Sequence, residues 1–346
     1  MAKHFIQTDR GHRFRSAIRV LAWFRIVCDH RCFLHLLLAC LLVGTEPVFC
    51  QEPVVKSDVP QGGVKPEHLV VVHVDEVDLS FVVTDRHNHW VTDLSADEVR
   101  LRDNGMKPAS IQRFQSQTGL PLRIGLVLDT SESIVYQFEA EKDAAALFIS
   151  EIVDPAKDLA FVLGFSDTPL ILQDLTSERQ ALASAVQKLT VGGATAIYDA
   201  VELSCQKLAQ HKDDHLIGRV LILVTDGMDN SSYRQPEQII ETAVRSNVVV
   251  IVLDTELNPS PNDPQYKILQ LLAKETGGLV LPAANKKQVT KAFKQLSSQL
   301  RSFYLLAYRP AHFTRDGSYR KIQLKTTRHG THILCRRGYY APSEKD

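Results

Sequence analysis

Residues 123–133 read RIGLVLDTSES. From Ile124 to Leu128 every residue is apolar or glycine, with no polar alternation, which is the pattern of a strand buried on both faces. The run breaks into Asp129-Thr130-Ser131-Glu132-Ser133. Apolar residues then recur at helical spacing over 136–152, as Phe138, Ala145, Phe148, Ile149 and Ile152. A buried strand, a polar loop and an amphipathic helix make the opening unit of a parallel sheet, and ligand sites of such sheets lie off the carboxyl ends of their strands.

The same grammar repeats downstream. Residues 159–165 (LAFVLGF), 219–225 (RVLILVT) and 247–253 (NVVVIVL) read as further buried strands, with a short one at 278–281. Helical spacing fills 180–189, 197–208, 236–246, 265–276 and 286–300, with Pro236 at an early helix position and Gly277-Gly278 as a stop. Strands alternating with helices predict an α/β domain over 120–300, a Rossmann-like, doubly wound, mostly parallel sheet.

On either side the chain reads as β. Residues 67–119 hold β-branched runs at 68–74 (HLVVVHV) and 77–84 (VDLSFVVT), shorter ones at 90–92, 99–102 and 111–115, and turns at 85–89 and Asp103-Asn104-Gly105. Residues 301–342 add 303–308, 319–326 and 332–336, and 343–346 are a short tail. Together the two segments have the size of one Ig-like sandwich of about 100 residues. The expectation is a small β-sandwich that flanks the α/β domain or has it inserted. Two independent β appendages are the alternative.

The first fifty residues differ in kind. Residues 1–31 carry seven basic side chains against Asp9 and Asp29, followed by the apolar run 32–44 (CFLHLLLACLLVG). As a helix that run rises about 20 Å, short of the roughly 30 Å hydrocarbon core. Residues 1–50 therefore read as a secretory signal peptide cut before Gln51. A retained N-terminal anchor is the alternative, since Trp23-Phe24 and Ile26-Val27 extend the apolar length, and that is the only membrane contact expected. A buried core helix is a third reading. Residues 51–66, rich in Pro, Gly and charge, read as a flexible lead-in. The whole chain has 40 Lys+Arg and 40 Asp+Glu, and removing residues 1–50 leaves 33 and 37. No positive surplus remains to neutralise phosphates, which argues against a nucleic-acid partner. Four of the six Cys leave with the signal; Cys205 and Cys335 stay, and their spacing does not settle whether they pair.

Three loops at one sheet edge carry the candidate chemistry: Asp129 to Ser133, then Gly192-Gly193-Ala194-Thr195 before a helix, then Asp226-Gly227 after strand RVLILVT. They supply two carboxylates and three hydroxyls, hard oxygen donors suited to Mg²⁺, with Mn²⁺ or Ca²⁺ as substitutes. Neutral hydroxyls leave such a cation electrophilic, so an acidic group of another molecule can complete its shell. Each residue also has a bland reading: Ser131, Ser133 and Thr195 as helix caps, Asp226-Gly227 as a plain turn.

Asp-x-Ser-x-Ser followed by Thr and then Asp resembles the metal-ion-dependent adhesion site (MIDAS) of von Willebrand factor type A (VWA) domains, over about residues 120–300. The resemblance implies Ser131, Ser133 and Thr195 as direct ligands of Mg²⁺, Asp129 and Asp226 as direct or water-mediated ones, and metal-dependent protein binding as the activity. Glu132 departs from the small residue, commonly glycine, between the two serines, and adds negative charge near the metal. The segments 91–105 (VTDLSADEVRLRDNG) and 301–310 (RSFYLLAYRP) with 338–342 (GYYAP) are similar to those of exported bacterial proteins of this class.

These readings imply an exported, non-catalytic binding module, periplasmic, cell-surface or extracellular, that engages a protein ligand with an exposed Asp or Glu. A metal-independent structural or assembly protein of the envelope is the alternative. A metal-dependent hydrolase is a third, with Glu132 as its sole nearby base. Nucleotide, serine-hydrolase and zinc-protease motifs are missing from the sequence. Asp199 reads as a first-turn helix charge, Asp229 as a solvated loop residue with approach to a neighbouring cation as the alternative, His211 and His215 as an exposed helix end or loop, His87-Asn88-His89 as a turn, and Asn230-Ser231-Ser232 as a glycosylation triplet. The basic residues Arg320, Lys321, Lys325, Arg328, Arg336 and Arg337 read as a solvated strand face, with an acidic-polymer contact as the alternative.

Overall fold

The computed structural model describes residues 76–86, 90–117, 119, 121–210, 217–257 and 260–343. The apolar N-terminal segment, the lead-in, the expected strand 68–74, His87-Asn88-His89, His211 and His215 lie outside those residues.

Three strands come first: β1 (Val77–Asp85), β2 (Val99–Asp103) and β3 (Ser110–Gln117). The alternating block follows as β4 (Leu122–Asp129), α1 (Phe138–Ile152), β5 (Leu159–Phe165), β6 (Pro169–Thr176), α2 (Arg179–Gln187), α3 (Ile197–Gln210) and β7 (Gly218–Thr225). It continues with α4 (Pro236–Arg245), β8 (Val248–Asp254), α5 (Pro264–Thr276), β9 (Val280–Pro282) and α6 (Lys286–Gln299). The tail adds β10 (Phe303–Arg309), β11 (Tyr319–Thr326), β12 (Thr331–Cys335) and β13 (Gly338–Tyr340).

The six-stranded central sheet has the order β6-β5-β4-β7-β8-β9. All its neighbours are parallel except β5 and β6. Every residue of β4 is buried. Leu122, Ile124, Leu126 and Leu128 face a core shared with α1, α2 and α6, while Val127 faces one shared with α3, α4 and α5. That is the period-2 geometry of a strand with helices on both sides. Each fully buried Leu contributes about 1.5–3 kcal/mol relative to exposure. Gly125 sits where a Cβ would lie 2.6 Å from the Phe161 ring, so only glycine lets the two strands pack at that point.

Two antiparallel sheets flank this unit, β12-β1-β10-β3 and β13-β11-β2. They share a core containing Leu79, Phe81, Leu101, Tyr304, Leu306 and Ile322. Strands from before residue 122 pair with strands from after residue 300: β1 with β10 and β12, β3 with β10, β2 with β11. The turn after β2 has Asn104 at φ 45° and Gly105 at φ 80°, the two left-handed positions of a type I′ hairpin turn.

Three details differ from the sequence reading. Residues 90–92 are not a strand; Trp90 makes a single bridge to Thr84 and packs edge-on against Phe303 at 6.0 Å. The edge strand β6 and the three-residue β13 were not anticipated. Cys205 and Cys335 are both free thiols, the first buried and the second half-buried. Among the described residues no helix is long and apolar enough to cross a membrane.

No two of β1, β2 and β3 pair with each other. A fragment of residues 51–118 is therefore expected to stay unfolded on its own, because isolated strands without partners do not persist in water. Circular dichroism of the fragment checks this, and a cooperative β-rich melt would contradict it.

Candidate metal centre

β4 delivers Asp129 fully buried to the carboxyl edge of the sheet. Its Oδ1 accepts from the Ser131 N–H at 2.9 Å and its Oδ2 from the Thr225 hydroxyl at 2.6 Å. Ser131 and Ser133 follow across a short 3-10 turn (Glu132–Ile134), and their Oγ atoms lie 3.1 Å apart. Ser131 occupies the N-cap position of that turn without making a side-chain capping bond.

The second loop docks on the first through its backbone. Gly192 N–H donates to Thr130 O at 2.8 Å and Glu132 N–H to Gly193 O at 3.2 Å. Gly193 has φ 91°, and a Cβ there would lie 2.3 Å from an Asp167 carboxylate oxygen, so the loop can run this close only as glycine. Thr195 is buried behind it. The third loop then clasps Thr195: Asn230 N–H and Ser231 N–H donate to its carbonyl at 3.0 and 3.2 Å, and its own N–H donates to Asn230 Oδ1 at 2.9 Å. Half-buried Asp226 follows Thr225, whose hydroxyl already holds Asp129. Hydrogen bonds thus link the loops that carry all five of Asp129, Ser131, Ser133, Thr195 and Asp226.

Three further groups join this edge without having been read from the sequence. Thr225 ties β7 to Asp129. Asp254 ends β8 buried, and burial, with Glu256 and Asp226 nearby, pushes its carboxyl up to about 6. Glu141 on α1 has no exposed surface, and neither of its carboxylate oxygens has a hydrogen-bond partner among the described residues. Burial pushes Glu141 up to about 8, helped by the charges of Asp129 and Asp226. Asp129 is pushed up to about 6, chiefly by burial, against the lowering pull of its bonds from Ser131 and Thr225. A signal for Glu141 exists: 138, 141, 145, 148 and 152 form one helical stripe, and only Glu141 in it is charged. Asp254, like Asp129, is simply the carboxylate at the end of a buried strand.

Other candidates resolve structurally. Asp229, expected to be a solvated loop residue, instead accepts from Tyr198 N–H at 3.0 Å and from the Ser232 hydroxyl at 2.6 Å, so it holds the first turn of α3. Asp199 lies in that first turn and receives Tyr233 and Arg234 N–H groups. Asn230 uses its side-chain oxygen on Thr195. Among the described residues no three His, Cys, Asp or Glu side chains are grouped to hold a metal ion, so the edge depends on its hydroxyls for any such role.

Residues 124–228 match the model of the von Willebrand factor type A domain, and the chain carries such a domain. Solved structures similar to it include a von Willebrand factor type A protein from Catenulispora acidiphila, at 14% identity and TM-score 0.47, covering 80% of this chain and 76% of that one. Another is BatB from Bacteroides thetaiotaomicron, at 19% identity and TM-score 0.42, covering 52% and 97%. A third is the von Willebrand factor domain of the type V pilus tip protein Mfa5 from Porphyromonas gingivalis, at 11% identity and TM-score 0.44, covering 52% and 95%. No curated protein matches the chain.

Proposed function

We propose that the protein is an exported, non-catalytic binding module whose VWA domain holds Mg²⁺ and uses it to engage an acidic side chain of a partner protein. Ser131, Ser133 and Thr195 would be direct ligands, with Asp129 and Asp226 direct or through water. The cation would supply an electrophilic centre for a carboxylate; the chain's own groups hold the loops and exclude water from beneath.

The observation that carries this reading is the buried, unpartnered acidic group under the loops. Glu141 is buried without a hydrogen bond beside Asp129 and Asp226, each acidic. Burial therefore keeps Glu141 protonated up to about pH 8 in the metal-free protein, and a divalent cation at the edge would favour the ionised carboxyls. The 3.1 Å Oγ separation of Ser131 and Ser133 supports the same reading. Oxygens on adjacent vertices of an octahedron with bonds of about 2.1 Å lie about 3 Å apart. The capping alternative is weakened too, since Ser131 makes no capping bond and the start of α3 is held by Asp229 and Ser232. Glu132, the base that a hydrolase reading would use, is exposed.

Isothermal calorimetry with Mg²⁺ and Mn²⁺ tests the site. Binding is expected for the native chain and at least tenfold weaker binding for Asp129→Ala; identical traces would remove the metal from the proposal. Partner capture with and without chelator then separates the two remaining readings. Loss with chelator is expected, and indifference points to the metal-independent assembly role. Around this edge Tyr136 is fully exposed, and Tyr233, Leu257 and Met228 are more than half exposed, a composition typical of protein interfaces.

A further inference from the structure

The basic tail is not one solvated face. Arg320 is consumed by Asp103 and Arg328 by Asp93 and Glu98. Arg336 is occupied as well, its guanidinium donating to the Asp78 carbonyl and lying 5.7 Å from the centre of the Tyr339 ring. The other three cations, Lys321, Lys325 and Arg337, line a cleft of about 630 Å³ between α5 with β9 on one side and β11 with β12 on the other. Lys274 of α5 adds a fourth, and no carboxylate lines the cleft. Lys274, Lys321, Lys325 and Arg337 have no acidic partner among the described residues. Between the cations the walls are apolar, with half-buried Leu279, Leu334 and Tyr266.

Four like charges facing one concave space repel one another, and the cleft walls hold them together. The carboxyl end of α5 accounts for little of this. A helix end carries about half a negative charge, and its last carbonyls already accept from the N–H groups of Gly277, Gly278 and Arg337. The field is therefore left for a ligand. The volume falls in the range of small-molecule sites, roughly 300–1,000 Å³, and is too short for extended polymer.

We propose that this cleft is a binding site for a small amphipathic anion, a phosphate or carboxylate group on an apolar body. The head sits among Lys321, Lys325 and Arg337, and the body lies along Leu279, Leu334 and Tyr266. The site is separate from the metal edge: it draws on none of the five candidate ligands, and its occupation does not depend on Mg²⁺.

Octyl phosphate, inorganic phosphate and octyl glucoside titrated into the full chain test it by calorimetry. Octyl phosphate below its micellar concentration is expected to bind one to one, weakening as salt rises. Inorganic phosphate and octyl glucoside are each expected to bind at least tenfold more weakly. The exposed double change Lys321→Glu with Lys325→Glu is expected to weaken octyl phosphate at least tenfold at unchanged melting temperature. Lys274→Glu, on the opposite wall, gives a second and independent loss. Cys335 lines the cleft and Cys205 is buried elsewhere, so bound octyl phosphate is expected to slow alkylation of Cys335, read by mass spectrometry. The proposal is overturned if octyl phosphate does not bind, if either control binds as tightly, if both charge reversals leave the affinity unchanged, or if alkylation of Cys335 is not slowed. Should the double variant not fold, Lys274→Glu and the alkylation of the native chain decide.

Discussion

Replacing Asp103 by alanine is expected to lower the stability of the sandwich by about 3–5 kcal/mol, the usual cost of removing one partner of a buried ion pair. Asp103 closes β2 and is 2% exposed. Its Oδ2 accepts from the Tyr308 hydroxyl at 3.0 Å and the Tyr339 hydroxyl at 2.8 Å, and its Oδ1 from Arg320 Nε at 3.2 Å. Those three donors stand on β10, β13 and β11, one carboxylate thus joining both sheets across about 200 residues of intervening chain. With the carboxylate gone, Arg320 stays buried with the His312 carbonyl as its remaining acceptor among the described residues, and two phenol groups lose their acceptor. Tyr308→Phe and Tyr339→Phe each delete a single bond and are expected to cost only about 1 kcal/mol. Urea denaturation followed by tyrosine fluorescence measures the series. A loss below about 1 kcal/mol for Asp103→Ala would show that apolar packing alone holds the two sheets together.

Asp103 also illustrates how far the sequence could be read. It was legible as the first residue of an Asp-Asn-Gly turn, and the turn is there; its burial was not, because the three donors lie far along the chain. Continuous apolar runs identified β4, β5, β7 and β8, since a strand covered on both faces has no room for polar residues. β6 escaped notice because it is an antiparallel edge strand, half-exposed throughout and broken in register against β5, so neither alternation nor an apolar run marks PLILQDLT. The same logic separates the site residues. Asp129 and Asp226 announce themselves by falling where a buried strand ends, and Asp254 obeys the same rule without a recognised motif around it. Thr225 carries no signal, being one more β-branched residue in a strand. In the basic tail, local pattern could not distinguish Arg320, turned inward against Asp103, from its neighbour Lys321, turned out toward the cleft.

Glu141 gives the second large effect, and its sign follows from linkage. Its carboxyl is pushed from an ordinary 4.5 up to about 8, first by burial and then by Asp129 and Asp226. Between those values the folded metal-free protein holds a proton that the unfolded chain has released. Stability is therefore full below about pH 4.5 and falls as pH rises through about 8. Asp129, raised to about 6 from 3.8, adds a loss of the same sign at lower pH. Glu141→Gln keeps the shape and removes the charge, so in chelator the variant is expected to exceed the native chain by on the order of 3 kcal/mol at pH 8.5. At pH 4 the advantage vanishes, and the amide, itself without a partner, turns it slightly negative. Saturating Mg²⁺ is expected to act on the native chain as the substitution does, because a cation at the loops favours ionised carboxyls beneath it. Its melting-temperature gain should then be larger at pH 8 than at pH 5, and smaller in Glu141→Gln than in the native chain. Thermal melts across pH 4–9, with chelator and with Mg²⁺, measure all four cases. Superimposable profiles for native chain and variant in chelator would mean that Glu141 is solvated or paired in solution, and the charge argument for a cation at this edge would fall with it.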